Sequence, residues 1–241
     1  MIPASLPDKN APIDPSSSHL HSFSALAESQ ALMKRVCVVV PVFNDWVSFS
    51  ILLDHINKVS KTLGLSVHVV AVNDGSTEPE PDWTRQARAW EFLDEIQLVD
   101  LAANLGHQKA IAVGLCVAVE DHPWDAVIIM DADGEDPPEQ IPTLLQMAEG
   151  RTDFSIVAQR RKRSENLTFR FSYLIYRIVF KILTGKRIGF GNFSLISRKS
   201  ARRLAMIPDL WNNLAAALLR SKLPLDLCPS IAGAVMPAVQ R

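Results

Sequence analysis

The chain of 241 residues is long enough for one α/β domain with a substantial core, and its composition, 48% hydrophobic and 21% charged, is that of a globular protein. Its three cysteines, Cys37, Cys116 and Cys228, are odd in number and far apart, which fits neither a disulfide framework nor a zinc site and favours a reducing, cytoplasmic compartment. No stretch reaches the roughly 18 uninterrupted apolar residues of a membrane-spanning helix. We therefore expect a soluble or peripheral protein.

Charge is unevenly distributed along the chain, although the net charge is only −1. Residues 1–150 carry 8 Lys and Arg against 22 Asp and Glu, residues 151–187 carry 10 against 2, and the remainder carries 7 against 2. An acidic half and a basic half predict a cation site on one side and an anionic partner on the other. We expect no nucleic-acid partner, because the basic region lacks the interleaved aromatics of a recognised binding module.

The predicted elements begin after a proline- and serine-rich segment, residues 1–34, which we interpret as a disordered tail and not as a signal peptide. Beyond it, short apolar runs alternate with amphipathic ones, which predicts βαβ units around a mostly parallel sheet. The predicted strands are Val36–Val40, Val67–Val72, Ile96–Leu101, Ala126–Met130 and Phe154–Ala158. The predicted helices are about Asp45–Leu63, Trp83–Leu93, His107–Glu120 and Glu139–Glu149.

Two aspartates, Asp131 and Asp133, follow the predicted strand Ala126–Met130. Ligands bind at the carboxyl ends of the strands in an open α/β sheet, so both side chains are expected at the ligand-binding edge. Carboxylates this close repel one another, and a divalent cation offsets the repulsion. Magnesium takes one or two protein carboxylates and completes its shell with water and substrate phosphate. For the pair alone, an aspartate-rich turn is an equally good interpretation.

Polar clusters follow three of the first four predicted strands, at residues 41–45, 73–76 and 131–133. Taken singly, Asp45 and Asp74 are better explained as a helix cap or a turn former. Because parallel strands have their carboxyl ends on one edge, the clusters together predict a shared crevice.

Four motifs resemble, in order and spacing, glycosyltransferase family 2, and most closely its dolichyl- or polyprenyl-phosphate sugar transferase branch. They are Pro41-Val42-Phe43-Asn44-Asp45, Val72-Asn73-Asp74-Gly75-Ser76, Asn104-Leu105-Gly106-His107-Gln108 and Asp131-Ala132-Asp133-Gly134-Glu135-Asp136-Pro137-Pro138-Glu139. The resemblance covers about residues 36–225. It implies the GT-A fold, a Rossmann-like α/β fold with a mostly parallel central sheet flanked by helices.

The resemblance also implies roles for individual residues. It implies nucleotide-binding roles for Pro41, Phe43, Asp45, Asp74 and Asp131, and a catalytic metal pair, Asp131 and Asp133, that holds Mg²⁺ or Mn²⁺ on the diphosphate of a UDP- or GDP-linked sugar. The family usually has Glu at position 45 and Asp at position 73, which leaves the base preference open. It moves the sugar in one inverting displacement.

An anionic acceptor is expected from the basic half. Arg160 and Arg163 stand where the resembling family carries phosphate-binding arginines, and arginine binds phosphate oxygens bidentately. A lipid phosphate is already an anion, whereas a hydroxyl acceptor needs a general base; for the nearby Glu135 and Asp136 we favour structural roles. Residues 163–183 combine a cationic stripe with a broad apolar surface, which predicts contact with an anionic membrane surface, partial packing on the sheet, or both.

The expected organisation is a single glycosyltransferase domain over residues 35–225, with a nucleotide-sugar half to residue 150 and an acceptor half after it. Residues 226–241 form an atypical tail without the family's usual hydrophobic hairpin, and Asn192-Phe193-Ser194 stands where relatives commonly have Asp-Phe-Arg. Two alternatives stay open. One is a degenerate homologue that binds nucleotide-sugar or lipid without turnover, and the other is a sugar nucleotidyltransferase, whose usual glycine-rich loop has no counterpart at residues 41–45.

Overall fold

A computed structural model of the protein describes residues 33–81, 90–120, 124–159 and 190–229. Four sets of residues from the sequence analysis lie outside these ranges: residues 1–32 of the predicted tail, most of the predicted helix Trp83–Leu93, the arginines Arg160 and Arg163, and the predicted membrane-facing segment 163–183.

A seven-stranded sheet forms the centre of the domain. Its strands are β1 (Arg35–Val42), β2 (Ser66–Asn73), β3 (Leu93–Asp100), β4 (Ala126–Ile129), β5 (Ser155–Gln159), β6 (Phe190–Ser197) and β7 (Asp226–Cys228). The strand order is β3-β2-β1-β4-β6-β5-β7. The first four strands are parallel, β6 is antiparallel to both β4 and β5, and β7 is parallel to β5. The predicted α/β class and mostly parallel sheet are confirmed.

The helices of the described residues are α1 (Trp46–Leu63), α2 (His107–Val119), α3 (Ile141–Ala148), α4 (Arg198–Ala205) and α5 (Leu214–Arg220). A 3₁₀ turn over Pro138–Gln140 precedes α3, so the predicted helix Glu139–Glu149 begins as a tighter turn. The predicted helix end at Leu93 is wrong, because Leu93 already belongs to β3. The backbone N–H of Phe92 donates to Asn57 Oδ1 of α1 at 2.9 Å. This hydrogen bond fixes the turn before β3 to α1, and the strand begins at the next residue.

Two apolar layers cover the faces of the sheet. Successive residues of β1 enter opposite layers: Val38 packs on the face covered by α1 and α3, whereas Cys37 and Val39 pack on the face covered by α2, α4 and α5. Burial on both faces explains why β1 is an almost continuous apolar run. Burial also raises the pKa of the Cys37 thiol to about 12.

β7 extends the sheet to residue 228, three residues beyond the expected domain end at 225. Cys228 is buried and its Sγ accepts a hydrogen bond from Gln140 Nε2 at 3.4 Å. In the described part of the chain, no helix combines the length and the apolar character that a bilayer crossing requires.

Candidate functional site

The carboxyl ends of β1, β2 and β4 meet at one edge of the sheet, as their parallel pairing requires. Val42 is paired with Asn73 in the register of β1 and β2, and Val39 with Ile129 in that of β1 and β4. The polar segments that follow these strands therefore leave the sheet side by side. We call this region the carboxyl edge.

Asn44 connects the segments after β1 and β2. Its backbone has a positive φ of 55°, its N–H donates to Ser76 Oγ at 2.9 Å, and its Oδ1 accepts from the N–H groups of Thr77 and Glu78 at 2.8 and 3.0 Å. Asparagine tolerates this left-handed conformation better than most residues. Sequence reasoning gave Asn44 no role, although an Asn directly after a strand is typical of such a turn.

The three predicted nucleotide-binding residues of the first motif occupy different environments. Pro41 is buried in β1, whereas the Phe43 side chain is 47% exposed at the carboxyl edge. Asp45 is partly buried ahead of α1, and its Oδ1 accepts a hydrogen bond from Ser48 Oγ at 3.3 Å. Phe43 is thus the member of this set with an aromatic surface open to a ligand.

Asp74 is buried, with 3% of its surface exposed. Its Oδ1 accepts from the Leu105 N–H at 2.7 Å and its Oδ2 from the Gly106 N–H at 3.0 Å. This carboxylate therefore fixes the backbone that leads into α2. The predicted contact with a nucleotide stays a prediction, because both carboxylate oxygens have internal partners here.

Asp131 and Asp133 lie in the turn after β4. The Asp131 side chain is 18% exposed and Asp133 is exposed. The turn is ordered by its own carboxylates, since Asp136 Oδ2 accepts from the Asp131 N–H at 2.8 Å and Asp133 Oδ1 accepts from the Glu135 N–H at 2.9 Å. Asp136 thus orders the turn that carries Asp131, and its preferred structural role over a catalytic one stays a prediction.

His107 and Asn192 flank the Asp131 carboxylate, and sequence reasoning assigned neither to the site. His107 Nε2 lies 3.2 Å from Asp131 Oδ1, and Asn192 Nδ2 donates to the same carboxylate at 3.4 and 3.5 Å. The hydrogen bond with Asp131 raises the pKa of His107, the charges of Asp131, Asp133 and Asp74 add to the rise, and burial opposes it. The carboxylates around position 107 therefore favour the protonated form of the His107 ring over the neutral form.

A chain of side-chain amides extends from Asn192 across the domain. Asn192 Oδ1 accepts from Gln108 Nε2 at 3.1 Å, and Gln108 Oε1 accepts from the N–H of Leu214, the first residue of α5, at 2.9 Å. Helices α2 and α5 and strand β6 are thereby connected to the Asp131 carboxylate. The available sequence signal was the position of His107 and Gln108 directly after the Gly106 turn, at the edge where the aspartates were expected.

The chemistry of the carboxylate pair suits a divalent cation. Among the described residues, His, Cys, Asp and Glu form no cluster of three or more that could hold a metal ion. Mg²⁺ is commonly held by one or two protein carboxylates, with water and phosphate oxygens completing its octahedral shell. The hard oxygen donors of Asp131 and Asp133 fit this requirement, and the other ligands would come from a bound diphosphate.

Comparisons with known proteins agree with the fold and the motifs. A transferase from Yersinia enterocolitica, named undecaprenyl-phosphate 4-deoxy-4-formamido-L-arabinose transferase, is 30% identical over 164 residues, which cover 68% of this chain and 48% of that protein. The protein of the same name from Proteus mirabilis is 32% identical over 159 residues, which cover 65% and 46%. The chain thus spans about half the length of these curated relatives.

Among solved structures, glucosyl-3-phosphoglycerate synthase from Mycobacterium tuberculosis with Mn²⁺ and UDP-glucose is similar, with a TM-score of 0.55 and 16% identity over 91% of this chain and 76% of that one. Its complex with phosphoglyceric acid gives a TM-score of 0.52 at 17% identity over the same shares of the two chains. These likenesses concern the fold, and the predicted GT-A architecture is confirmed. The model of the family described as "Glycosyl transferase family 2" matches residues 37–206, from β1 to the residue after α4, and the chain therefore belongs to glycosyl transferase family 2.

Proposed function

We propose that the chain binds a nucleotide-sugar donor at its carboxyl edge and transfers the sugar to a polyprenyl phosphate. The observation that carries the proposal is the position of Asp131 and Asp133 directly after the central strand β4, beside the segments that follow β1 and β2. The names of the curated relatives, which are undecaprenyl-phosphate sugar transferases, support a lipid-phosphate acceptor.

The donor base would lie against the segment after β1. Phe43 offers an exposed aromatic face, and aromatic rings bury large flat surfaces effectively. Pro41 forms part of the rigid strand beneath it, and Asn44 fixes the two neighbouring segments to each other. We assign Asp45 to polar contacts of the nucleoside, while Asp74 positions the backbone at residues 105–106 beside it.

Asp131 and Asp133 would hold Mg²⁺ or Mn²⁺ together with the donor diphosphate. Bound there, the cation would neutralise the negative charge that develops on the departing diphosphate. His107 and Asn192 orient the Asp131 carboxylate, as hydrogen-bonded neighbours of metal ligands generally do. The protein thus contributes a preorganised ligand at the position where charge accumulates.

The acceptor needs no general base from the protein if it is a lipid phosphate, because its oxygen is already anionic at neutral pH. Attack from the face opposite the leaving diphosphate would invert the anomeric carbon. We assign acceptor binding to Arg160 and Arg163, and peripheral contact with the cytoplasmic face of a membrane to residues 163–183. These residues lie outside the described part of the chain.

Calorimetric titration of UDP-glucose, UDP-N-acetylglucosamine and GDP-mannose, with Mn²⁺ and with EDTA, tests the donor site. We expect one donor to bind only with Mn²⁺, and Asp131→Asn/Asp133→Asn to abolish that binding. Asp209→Asn is a matched control, because its carboxylate pairs with Arg220 at 2.8 Å in another part of the chain. If no donor binds under either condition, the proposal is wrong.

Turnover is tested separately with radiolabelled donor and undecaprenyl phosphate in detergent. Label that moves into the lipid fraction in a Mn²⁺-dependent way supports the transferase. Metal-dependent donor binding without transfer would instead favour the degenerate homologue. Release of pyrophosphate from a nucleoside triphosphate and a sugar phosphate would favour the nucleotidyltransferase.

A further inference from the structure

A basic cavity lies at the edge of the sheet opposite the carboxyl edge. Its volume is about 710 Å³, and the residues that line it are Arg35, Trp124, Asp125, Thr152, Arg198, Lys199, Arg202 and Arg203. Arg35 begins β1, Asp125 precedes β4, and Arg198 follows β6, which runs antiparallel to β4. We call this region the amino-edge cavity.

Positive charge dominates the lining, with five basic residues against one acidic residue. The acidic residue, Asp125, is engaged with the backbone, because its Oδ2 accepts from the N–H groups of Lys34 and Arg35 at 3.0 Å each. Its carboxylate therefore orders the start of β1 and forms no ion pair with the guanidinium groups of the cavity.

Asp153, close to the lining, neutralises only part of the excess charge. Its Oδ2 lies 3.1 Å from Lys199 Nζ and 4.0 Å from Arg203 Nη1. Within the described part of the chain, Arg35, Arg198 and Arg202 form no ion pair, and the buried Nε of Arg198 has no hydrogen-bond partner. A buried donor without an acceptor is costly. No hydrogen bond from the described residues holds Arg198 Nε against a side-chain shift toward a ligand oxygen in the cavity.

The geometry of helix α4 concentrates these donors. Arg198 and Arg202 are four residues apart, as are Lys199 and Arg203, so each pair lies on one side of the helix. Arg35 at the start of β1 and Thr152 in the loop before β5 add to the polar lining. Arginine forks match the tetrahedral oxygens of phosphate bidentately.

We propose that the amino-edge cavity binds a phosphate group, either the headgroup of an anionic lipid or a free phosphorylated metabolite. The volume exceeds that of a lone phosphate and falls in the range of small-molecule sites, roughly 300–1,000 Å³, so the cavity also accommodates the group to which the phosphate is attached. Its donors are distinct from those of the carboxyl edge, and its occupancy needs no divalent cation.

The test uses pyrophosphate and vesicles with EDTA present throughout, so that neither probe binds at the proposed metal-dependent donor site. Pyrophosphate binding is measured by calorimetry at constant ionic strength. Flotation with phosphatidic acid, phosphatidylglycerol and phosphatidylcholine vesicles reports on the headgroup. Asp131→Asn/Asp133→Asn is expected to bind like the wild type, which separates failure here from failure of the proposed function.

Arg198→Gln/Arg202→Gln is expected to weaken binding of the responding probe at least about tenfold, the equivalent of roughly 1.4 kcal/mol. Lys58→Gln/Lys61→Gln removes the same charge from α1 and is expected to change nothing. If the double variant does not fold, the single variant Arg202→Gln is measured instead, because Arg202 is exposed and its replacement should not disturb the fold. Arg202→Gln is also expected to weaken binding. Asp153→Asn releases Lys199 and Arg203 and is expected to tighten binding.

The probes distinguish the two sources of phosphate. If the wild type binds pyrophosphate and Arg198→Gln/Arg202→Gln does not, the ligand is a free phosphorylated molecule. If the wild type binds anionic vesicles but not pyrophosphate, and the same variant loses the vesicles, the ligand is a lipid headgroup. The proposal is overturned if neither probe binds, or if both arginine variants bind as the wild type does.

Discussion

Asp74 provides a direct test of how the carboxyl edge is built. Replacing it with Ala removes the acceptor of the Leu105 N–H at 2.7 Å and of the Gly106 N–H at 3.0 Å. Hydrogen bonds to a charged group contribute about 1.5–3 kcal/mol each, so loss of both predicts a cost of about 3–6 kcal/mol. Water that enters the space left by the carboxylate recovers part of it, and we expect a net loss of about 2–5 kcal/mol in the free energy of unfolding.

Urea unfolding at pH 7, followed by far-ultraviolet circular dichroism, measures this loss. Asp74→Asn keeps one acceptor oxygen and should lose less than Asp74→Ala. Asp209→Ala is the control, because its carboxylate contacts Arg220, whose side chain is 68% exposed, and exposed ion pairs contribute under about 1 kcal/mol. If Asp74→Ala costs no more than this control, the carboxylate does not hold the backbone before α2.

Two further predictions concern the core and the amino edge. Gly114→Ala in α2 should lower the free energy of unfolding by about 1–3 kcal/mol in the same urea assay, because the added Cβ would overlap Val39 and lie 2.9 Å from Val72 Cγ2. Ala has the better helix propensity, so a stabilised variant would contradict this account of the packing. Hydrogen bonds from Ser200 and Lys199 lower the pKa of the Asp153 carboxyl in the folded protein. The Asp153 carboxylate therefore stabilises the fold above its pKa in the unfolded chain, about 3.9, and this stabilisation is lost as the pH falls through the pKa of the folded protein. Wild type should exceed Asp153→Asn in unfolding free energy at pH 7, and this difference should shrink in acid; a difference independent of pH would refute the assignment.

The parallel part of the fold is predictable from sequence because its strands are buried on both faces. Each of β1, β2 and β4 is an apolar run with a polar cluster at its end. That pattern predicts both the position of the strand and which of its ends lies at the carboxyl edge. The insertion of β6 between β4 and β5 was not predicted. Phe190 begins a strand whose polar residues, Asn192 among them, interrupt the apolar pattern, and its pairing partners lie far away in sequence.

The same long-range pairing explains which site residues were missed. Asp131 follows from the local rule for strand ends, but its neighbour Asn192 is 61 residues away and reaches it only because Ser194 pairs with Ile129 across β4 and β6. His107 reaches the carboxylate through the Gly106 turn at the start of α2. Side chains that depend on non-local pairing leave no periodic signal in a single sequence.

The two charged regions are electrostatically independent, although they share one sheet. Strand β1 has eight residues, and at about 3.3 Å per residue it separates Arg35 from the segment after Val42 by about 26 Å. At physiological ionic strength the Debye length is about 8 Å, so dissolved ions screen the acidic carboxyl edge from the basic amino-edge cavity. Neither cluster neutralises the other, and each is free to attract its own ligand. Combining Asp131→Asn/Asp133→Asn with Arg198→Gln/Arg202→Gln should therefore give additive changes in donor and phosphate binding, because sites this far apart without shared contacts rarely couple.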